Sequence, residues 1–229
     1  AFANTKSIEF DGVNDFLSAG TFTSFDGLDK FSVSMWCKIA SGGGGYVLGK
    51  NRADSHWGNR FNFYIDEYKI EVNTAQLAFR NTSLSLGNNW ISVIFVIDRT
   101  QGTILDRCKV YVNGSVIVNS QNSNFSQVVA DSEPLTIGTR TTGTSSPSPH
   151  NAFEGHLDEV ALFNIALSSS QASAIGSTTP TDLTGHTGLI NWWRMGDGDT
   201  YPTIIDHQGS NNATMTNMAS GDIVSDVPS

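Results

Sequence analysis

The chain has 229 residues, a net charge of −9 and only 15% charged residues, against about 25% in a typical soluble domain. Ser, Thr and Asn together supply 67 residues and Gly another 22, which is unlike a helical bundle built on Ala, Glu, Lys and Leu. An acidic chain without a Lys/Arg stripe has no footprint for a phosphate backbone, so nucleic acid is not an expected partner. No apolar run approaches a membrane span, so a membrane is not expected either. The length suits one large β-sandwich domain over residues 1–229, with 219–229 as a tail. Cys37 and Cys108 are the only cysteines. Each sits in an apolar run and reads as a free buried thiol, which favours assembly in a reducing compartment over classical secretion. The opening AFANTKSIEF lacks a basic-then-apolar leader pattern. Ala1 is compatible with a removed initiator Met, and the AFA triplet is compatible with the remains of an A-x-A cleavage site.

In chain order the pattern is strand, turn, strand. Ser7 to Phe10 reads extended and DGVND (11–15) supplies a turn. From Phe31 to Ile39 the apolar residues Phe31, Val33, Met35, Cys37 and Ile39 alternate with Ser32, Ser34, Trp36 and Lys38, which predicts a strand with one face in the core. Four glycines (42–45) lead into YVLGK, and a polar loop NRADSHWGNR (51–60) precedes FNFYID, KIEVN and QLAFR, three short strands. WISVIFVID (90–98) is the most continuous apolar run and predicts a central strand. CKVYVNGSVIVN (108–119) is a hairpin with Asn113-Gly114 as a type I′ turn. PLTIGTR (134–140), a Ser/Thr/Pro-rich loop and FEGHLDEVALFN (153–164) follow. IALSSSQASAIGS (165–177) holds the single expected helix, capped by Ser168 and stopped at Gly176, with Ala172 and Ile175 inward. GLINWWRM and TIIDH close the series. At least ten strands and one short helix specify an all-β, two-sheet antiparallel jelly-roll sandwich.

Four segments in this order, SIEFDGVNDFLSAG (7–20), FSVSMWCKIAS (31–41), CKVYVNG (108–114) and FEGHLDEVALFNIALSSSQASAI (153–175), resemble the concanavalin A-like jelly roll and, within it, the laminin-G-like and pentraxin branch. GLINWWRM (188–195) resembles a late pentraxin strand. The resemblance implies two curved antiparallel sheets of about six or seven strands, the concave one often carrying the ligand. One departure is that a segment like GLINWWRMGDGDTYPTIIDHQGSNNATMTNM precedes the FDG strand in many laminin-G-like proteins, whereas here it follows the helix. The end GDIVSDVPS (221–229) resembles the tail of such proteins in marine phage genomes.

Jelly-roll glucanases share this fold, but glycoside hydrolysis needs two carboxylates about 5–10 Å apart. The family's Glu-x-Asp-x-x-Glu strand is missing. Asp66-Glu67 and Asp158-Glu159 are adjacent pairs, which on a regular strand point to opposite faces and read as strand-end charges. Five scattered histidines come with no nucleophile motif, so an enzyme is not expected. Many members of the superfamily hold a structural Ca2+ where the FDG turn meets the Asp of the DEV strand. The resemblance therefore implies Asp11, Gly12 (through its carbonyl), Asp15 and Asp158 as calcium ligands. The alternative is that Asp11 and Asp15 are Asx-turn residues and Asp158 caps a strand end. A pentraxin-type ligand calcium is not expected, because Thr139, Arg140, Thr141 and Thr142 stand where its acidic cluster belongs, and Arg140 repels a cation.

Sugar recognition takes aromatic faces and short polar groups. Tyr46, His56, Trp57, Asn59, Arg60 and Asn62 supply these close together, although Trp57 would equally plug the edge of the sandwich. Of Trp192 and Trp193 one faces outward, toward a ligand or under the C-terminal tail. That tail lacks a hydrophobic pattern and has little reason to be ordered unless something holds it. The expected function is a non-catalytic virion-surface protein of a phage, a capsid decoration or tail-fibre component with a lectin-like fold. Its expected partners are other virion proteins, host glycans and further copies of the chain. The alternatives are a secreted bacterial carbohydrate-binding module with structural calcium and, third, a degenerate glycoside hydrolase.

Overall fold

The computed structural model describes residues 2–50, 61–74, 76–82, 84–117, 128, 133–142 and 148–229. The early strands are β1 (Ser7–Asp11), β2 (Phe16–Thr21), β3 (Lys30–Ile39), β4 (Gly44–Lys50), β5 (Phe61–Asp66), β6 (Ile70–Thr74) and β7 (Gln76–Asn81). The middle of the chain gives β8 (Trp90–Asp98), β9 (Cys108–Val112), β10 (Ser115–Ile117), β11 (Pro134–Ile137), β12 (Arg140–Thr142), β13 (Ser148–His150) and β14 (Glu154–Phe163). Helix α1 (Ser169–Ile175) then precedes β15 (Leu189–Trp193), β16 (Thr203–Ile204), β17 (Ala213–Thr216) and β18 (Ile223–Val224).

Two antiparallel sheets of eight strands face each other. The first runs β10-β9-β8-β3-β14-β1-β18, with β15 also on β14, and the second runs β16-β17-β2-β11-β4-β5-β6-β7. Each is a little wider than the resemblance implies, because the late segment contributes β15 to one sheet and β16 and β17 to the other. Alternation sets the core as expected: Phe31, Val33, Met35, Cys37 and Ile39 all point between the sheets. Both cysteines are free and buried. The Asn113-Gly114 turn has positive φ at both residues, 48° and 72°, as the hairpin requires. Among the described residues no helix is long and apolar enough to cross a membrane.

The outer face of the first sheet is covered as well, so Ser32, Ser34 and Trp36 are buried although they point away from the core. Over one part lies α1, whose N-cap Ser168 and Gln171 form a reciprocal capping box and whose Ala172 and Ile175 pack with Ile94, Ala161 and Phe163. Over another part lies the C-terminal tail. β18 pairs with β1, and beyond it Asp226 takes Lys38 Nζ at 2.6 Å and Trp90 Nε1 at 2.8 Å, while Ser7 Oγ donates to the Asp226 carbonyl. The tail is therefore held by its own chain.

The N-terminal segment packs across the same sheet. Phe2 stacks on Trp192 with ring centroids 6.2 Å apart, and Thr5 N donates to Asp197. Trp193 belongs to the central core and Trp192 faces outward. The outward tryptophan is thus covered, but by the N-terminal segment and not by the tail.

Asp226→Ala removes one half-exposed ion pair and the indole hydrogen bond together, so it should cost about 1 kcal/mol after solvent screening. The larger effect is local. Amide exchange at Ile223 and Val224 should accelerate strongly while β3 and β8 stay protected, which hydrogen-exchange mass spectrometry would check.

Candidate functional site

The early turn is built as an Asx turn. Asp11 Oδ1 accepts from Val13 N (2.8 Å) and Asn14 N (3.2 Å), and Asp15 Oδ2 accepts from Asp11 N (3.1 Å). Gly12 has φ +74° and donates its N–H to Phe153 O. Burial, with Asp11 close by, pushes Asp15 up to about 6 against the hydrogen bond it receives. In the β1–β14 register Asp11 lies opposite Glu154, and Asp158 is one residue past Leu157, the partner of Ile8. The structure therefore brings Asp11, Gly12 and Asp15 together and leaves Asp158 several residues away along β14. Among the described residues no three His, Cys, Asp or Glu side chains gather as a metal-binding group.

Asp158 and Glu159 overturn the strand-end expectation. They sit in the middle of β14, where its register with β3 shifts between Asp158 and Ala161 and Glu159 has φ +48°. Such a bulge adds one residue without advancing the pleat, so both carboxylates lie on the outer side between core residues Leu157 and Val160. They are 0% and 4% exposed. Asp158 Oδ2 accepts from Asn4 Nδ2 (2.8 Å) and its Oδ1 from Glu159 N (2.8 Å). Glu159 accepts from Trp192 Nε1 (2.6 Å) and Arg194 Nε (3.1 Å). Burial and the neighbouring Glu159 push Asp158 up to about 9. Burial raises Glu159 to about 7, opposed by the Arg194 charge. The N-terminal segment closes over Asp158 through Asn4, and Trp192 and Arg194 close over Glu159.

The outer face of the second sheet is where the expected sugar-binding residues meet. The β4–β5 register sets Tyr46 beside Tyr64 and Gly49 beside Asn62. The two tyrosine rings are edge-on at 5.2 Å, and the Arg140 guanidinium lies 4.7 Å over Tyr46. A Cβ on Gly49 would stand 2.9 Å from Asn62 Oδ1 and 3.0 Å from Arg140 Cβ, so the missing side chain at Gly49 forms the floor between them. Asn62 is 1% exposed, and neither its Oδ1 nor Arg140 Nε has a hydrogen-bond partner among the described residues. Lys69 Nζ lies 4.1 Å over the Tyr64 ring. Beyond it Glu71 takes Arg80 at 2.7 Å and Lys69 at 3.6 Å. Burial, then the charge and hydrogen bond of Asp66, pushes the Tyr64 hydroxyl up to about 12. His56, Trp57, Asn59 and Arg60 lie outside the described residues.

Tyr46 and Asn62 are thus on one face, joined by Tyr64 and Arg140, which the sequence analysis does not assign to the site. The alternation of FNFYID already places Tyr64 on the Asn62 face. Arg140 arrives from a different part of the chain and has no such local signal.

Residues 11–173 match the family profile of the concanavalin A-like lectin/glucanases superfamily. The chain belongs to this superfamily. No curated protein matches the chain. Among solved structures, a candidate carbohydrate binding protein from Bacteroides ovatus aligns with a TM-score of 0.66 and 18% identity over 94% of this chain. The chain spans 59% of that protein's length. The SAP-like pentraxin of Limulus polyphemus, a heptamer, aligns with a TM-score of 0.61 and 16% identity, covering 96% of this chain and all of that one. The CBM40 of a Ruminococcus gnavus IT-sialidase gives 0.54 and 12% over 75% of this chain and 98% of that one. At these identities the likeness establishes the shared sandwich. Within the superfamily's frame, the carboxylates of this chain's DEV strand are buried, Asp158 under Asn4 and Glu159 under Trp192 and Arg194.

The buried pair makes stability depend on pH. Asp158 and Glu159 hold their protons above the ordinary carboxylate range, so between about pH 4 and about pH 9 this pair binds more protons in the folded chain than in the unfolded one, a contribution that lowers stability as pH rises and that burial of His150 and His156 opposes in part. The thermal midpoint should drop between about pH 5 and about pH 8. Asp158→Asn, which imitates the protonated acid, should flatten that slope. Circular-dichroism melts would check both, and a midpoint rising with pH would contradict the assignment.

Proposed function

We propose that the chain is a non-catalytic carbohydrate-binding protein. Its glycan site is the outer face of the second sheet at Tyr46, Asn62, Tyr64 and Arg140, with His56, Trp57, Asn59 and Arg60 of the following loop as contributors. The observation that carries this reading is the pair of crossed tyrosines beside a buried amide oxygen and a guanidinium nitrogen, neither of which has a partner among the described residues. Ring faces stack on sugar C–H surfaces, and fixed polar groups select hydroxyls or a carboxylate. The R. gnavus CBM40 of similar fold is described bound to α2,3- and α2,6-sialyllactose, a sugar whose carboxylate suits a cation such as Arg140.

The setting we propose is a virion surface, with a secreted bacterial module as the alternative. It is supported by the two free buried thiols and the phage-like ending GDIVSDVPS. Mass spectrometry of purified particles decides between them: absence of the chain from particles favours secretion.

A glycan array should show binding. Tyr46→Ala and Arg140→Ala should each weaken it about tenfold, the effect of losing roughly 1.4 kcal/mol of contact, with melting curves unchanged. Silence across the array would overturn the reading.

A further inference from the structure

α1 and the tail leave a groove of about 460 Å3 open between them on the outer face of the first sheet. That is within the range of small-molecule sites, about 300–1,000 Å3. Trp36 and Trp90 line it, together with Asn113 of the β9–β10 turn, Ser177 and Thr178 just after α1, and Ser229 of the tail. Every one of these side chains is uncharged. The ionic groups nearby, Lys38 and Asp226, are spent on each other at 2.6 Å.

The groove is held in shape by groups behind its lining. The Trp90 indole N–H is fixed on Asp226 Oδ1, so that ring offers its face rather than a donor. Asn113 Oδ1 accepts from Ser92 N at 3.0 Å, which leaves the Asn113 Nδ2 group to donate. Ser92 Oγ in turn donates to Gly176 O, which ties the end of α1 to the sheet. Trp36 is only 6% exposed.

We propose that this groove is a second carbohydrate subsite, which takes one neutral pyranose of a glycan. The half-buried Trp90 indole supplies the apolar surface on which a sugar's C–H face rests, with the small exposed part of Trp36 beside it, and the amide and hydroxyl groups of Asn113, Ser177 and Thr178 supply hydrogen bonds to its hydroxyls. A carboxylated sugar would bring its charge in without a cation to meet it, at a desolvation cost. The groove shares no residue with the Tyr46 site and lies on the opposite sheet, so it depends on the lectin reading only for the class of ligand.

The test is an NMR titration of the 15N-labelled full chain, reading the indole N–H signals, with glucose, galactose, mannose and N-acetylglucosamine, and with glucuronic acid as the charged arm. The Trp36 and Trp90 signals should move with at least one neutral sugar and not with glucuronic acid. Thr178→Arg fills the groove from an exposed position and should raise the apparent Kd at least about tenfold. Ser177→Arg should repeat that effect, and melting curves report whether either variant is folded. Tyr46→Ala should leave the titration unchanged. The proposal is overturned by still indole signals with every neutral sugar, by a titration that survives both arginine substitutions in folded protein, or by equal binding of glucuronic acid. Array binding that is lost in Tyr46→Ala while the indole signals stay still would sink this subsite and leave the Tyr46 site standing.

Discussion

Glu159 is held in a left-handed conformation in the middle of β14 by two partners from β15 and the residue after it, the Trp192 indole and the Arg194 guanidinium. Much of the first sheet is arranged around that residue. On its N-terminal side β14 pairs with β1, and on its C-terminal side with β15; the bulge is where one neighbour gives way to the other. Two carboxylates buried side by side carry a desolvation penalty that only dense hydrogen bonding offsets. Asn4 of the N-terminal segment supplies it to Asp158, and Trp192 and Arg194 supply it to Glu159, while Thr5 on Asp197 and Phe2 on the Trp192 ring hold that segment in place. The fold thus uses an acidic pair to fasten its first residues, and this same pair is what a search for catalytic carboxylates would find first.

The two sheets consequently have different work. The outer face of the first is largely occupied by helix, tail and N-terminal segment, so its open part is narrow and bounded by fixed groups. The second keeps part of its outer face polar and half-buried, with a run of Thr203, Thr214, Ser18 and Thr136 leading in register to Gly49 and Asn62. The low charge and high Ser/Thr/Asn content of the sequence are spent partly here, on a surface that presents hydroxyls and amides. The ionic side chains gather in pairs toward its edge, as Glu71 does with Lys69 and Arg80.

What was legible in the sequence is what local geometry encodes. The alternation through Phe31–Ile39, the capping box at Ser168 and the Asn113-Gly114 turn each carry their own signature, and the structure has them at those residues. The bulge was illegible because inserting one residue breaks the period of two on which the reading of Asp158-Glu159 relied. Arg140 was visible only as a group hostile to calcium; its position over Tyr46 depends on how β12 crosses β4. The tail looked unstructured because it has no apolar pattern, yet a short strand pairing with β1 and one aspartate between a lysine and an indole dock it. Half of the candidate site, Tyr46 and Asn62, could be named from proximity in sequence, and the remaining half required the sheet.

The pairing of β18 with β1 puts the two ends of the described chain next to each other, with Ser7 opposite Val224. Because these strands are antiparallel, load applied through the segments that precede Ser7 and follow Val224 opens their pairing like a zipper, one bond at a time, instead of shearing all the bonds together. Ahead of that pairing, the load falls on the tail's contacts with Lys38 and Trp90 and on the N-terminal segment's contacts with Asp158, Asp197 and Trp192. The tail also forms one wall of the tryptophan groove. A pull on the tail would therefore alter that wall before the β1–β18 pairing opens.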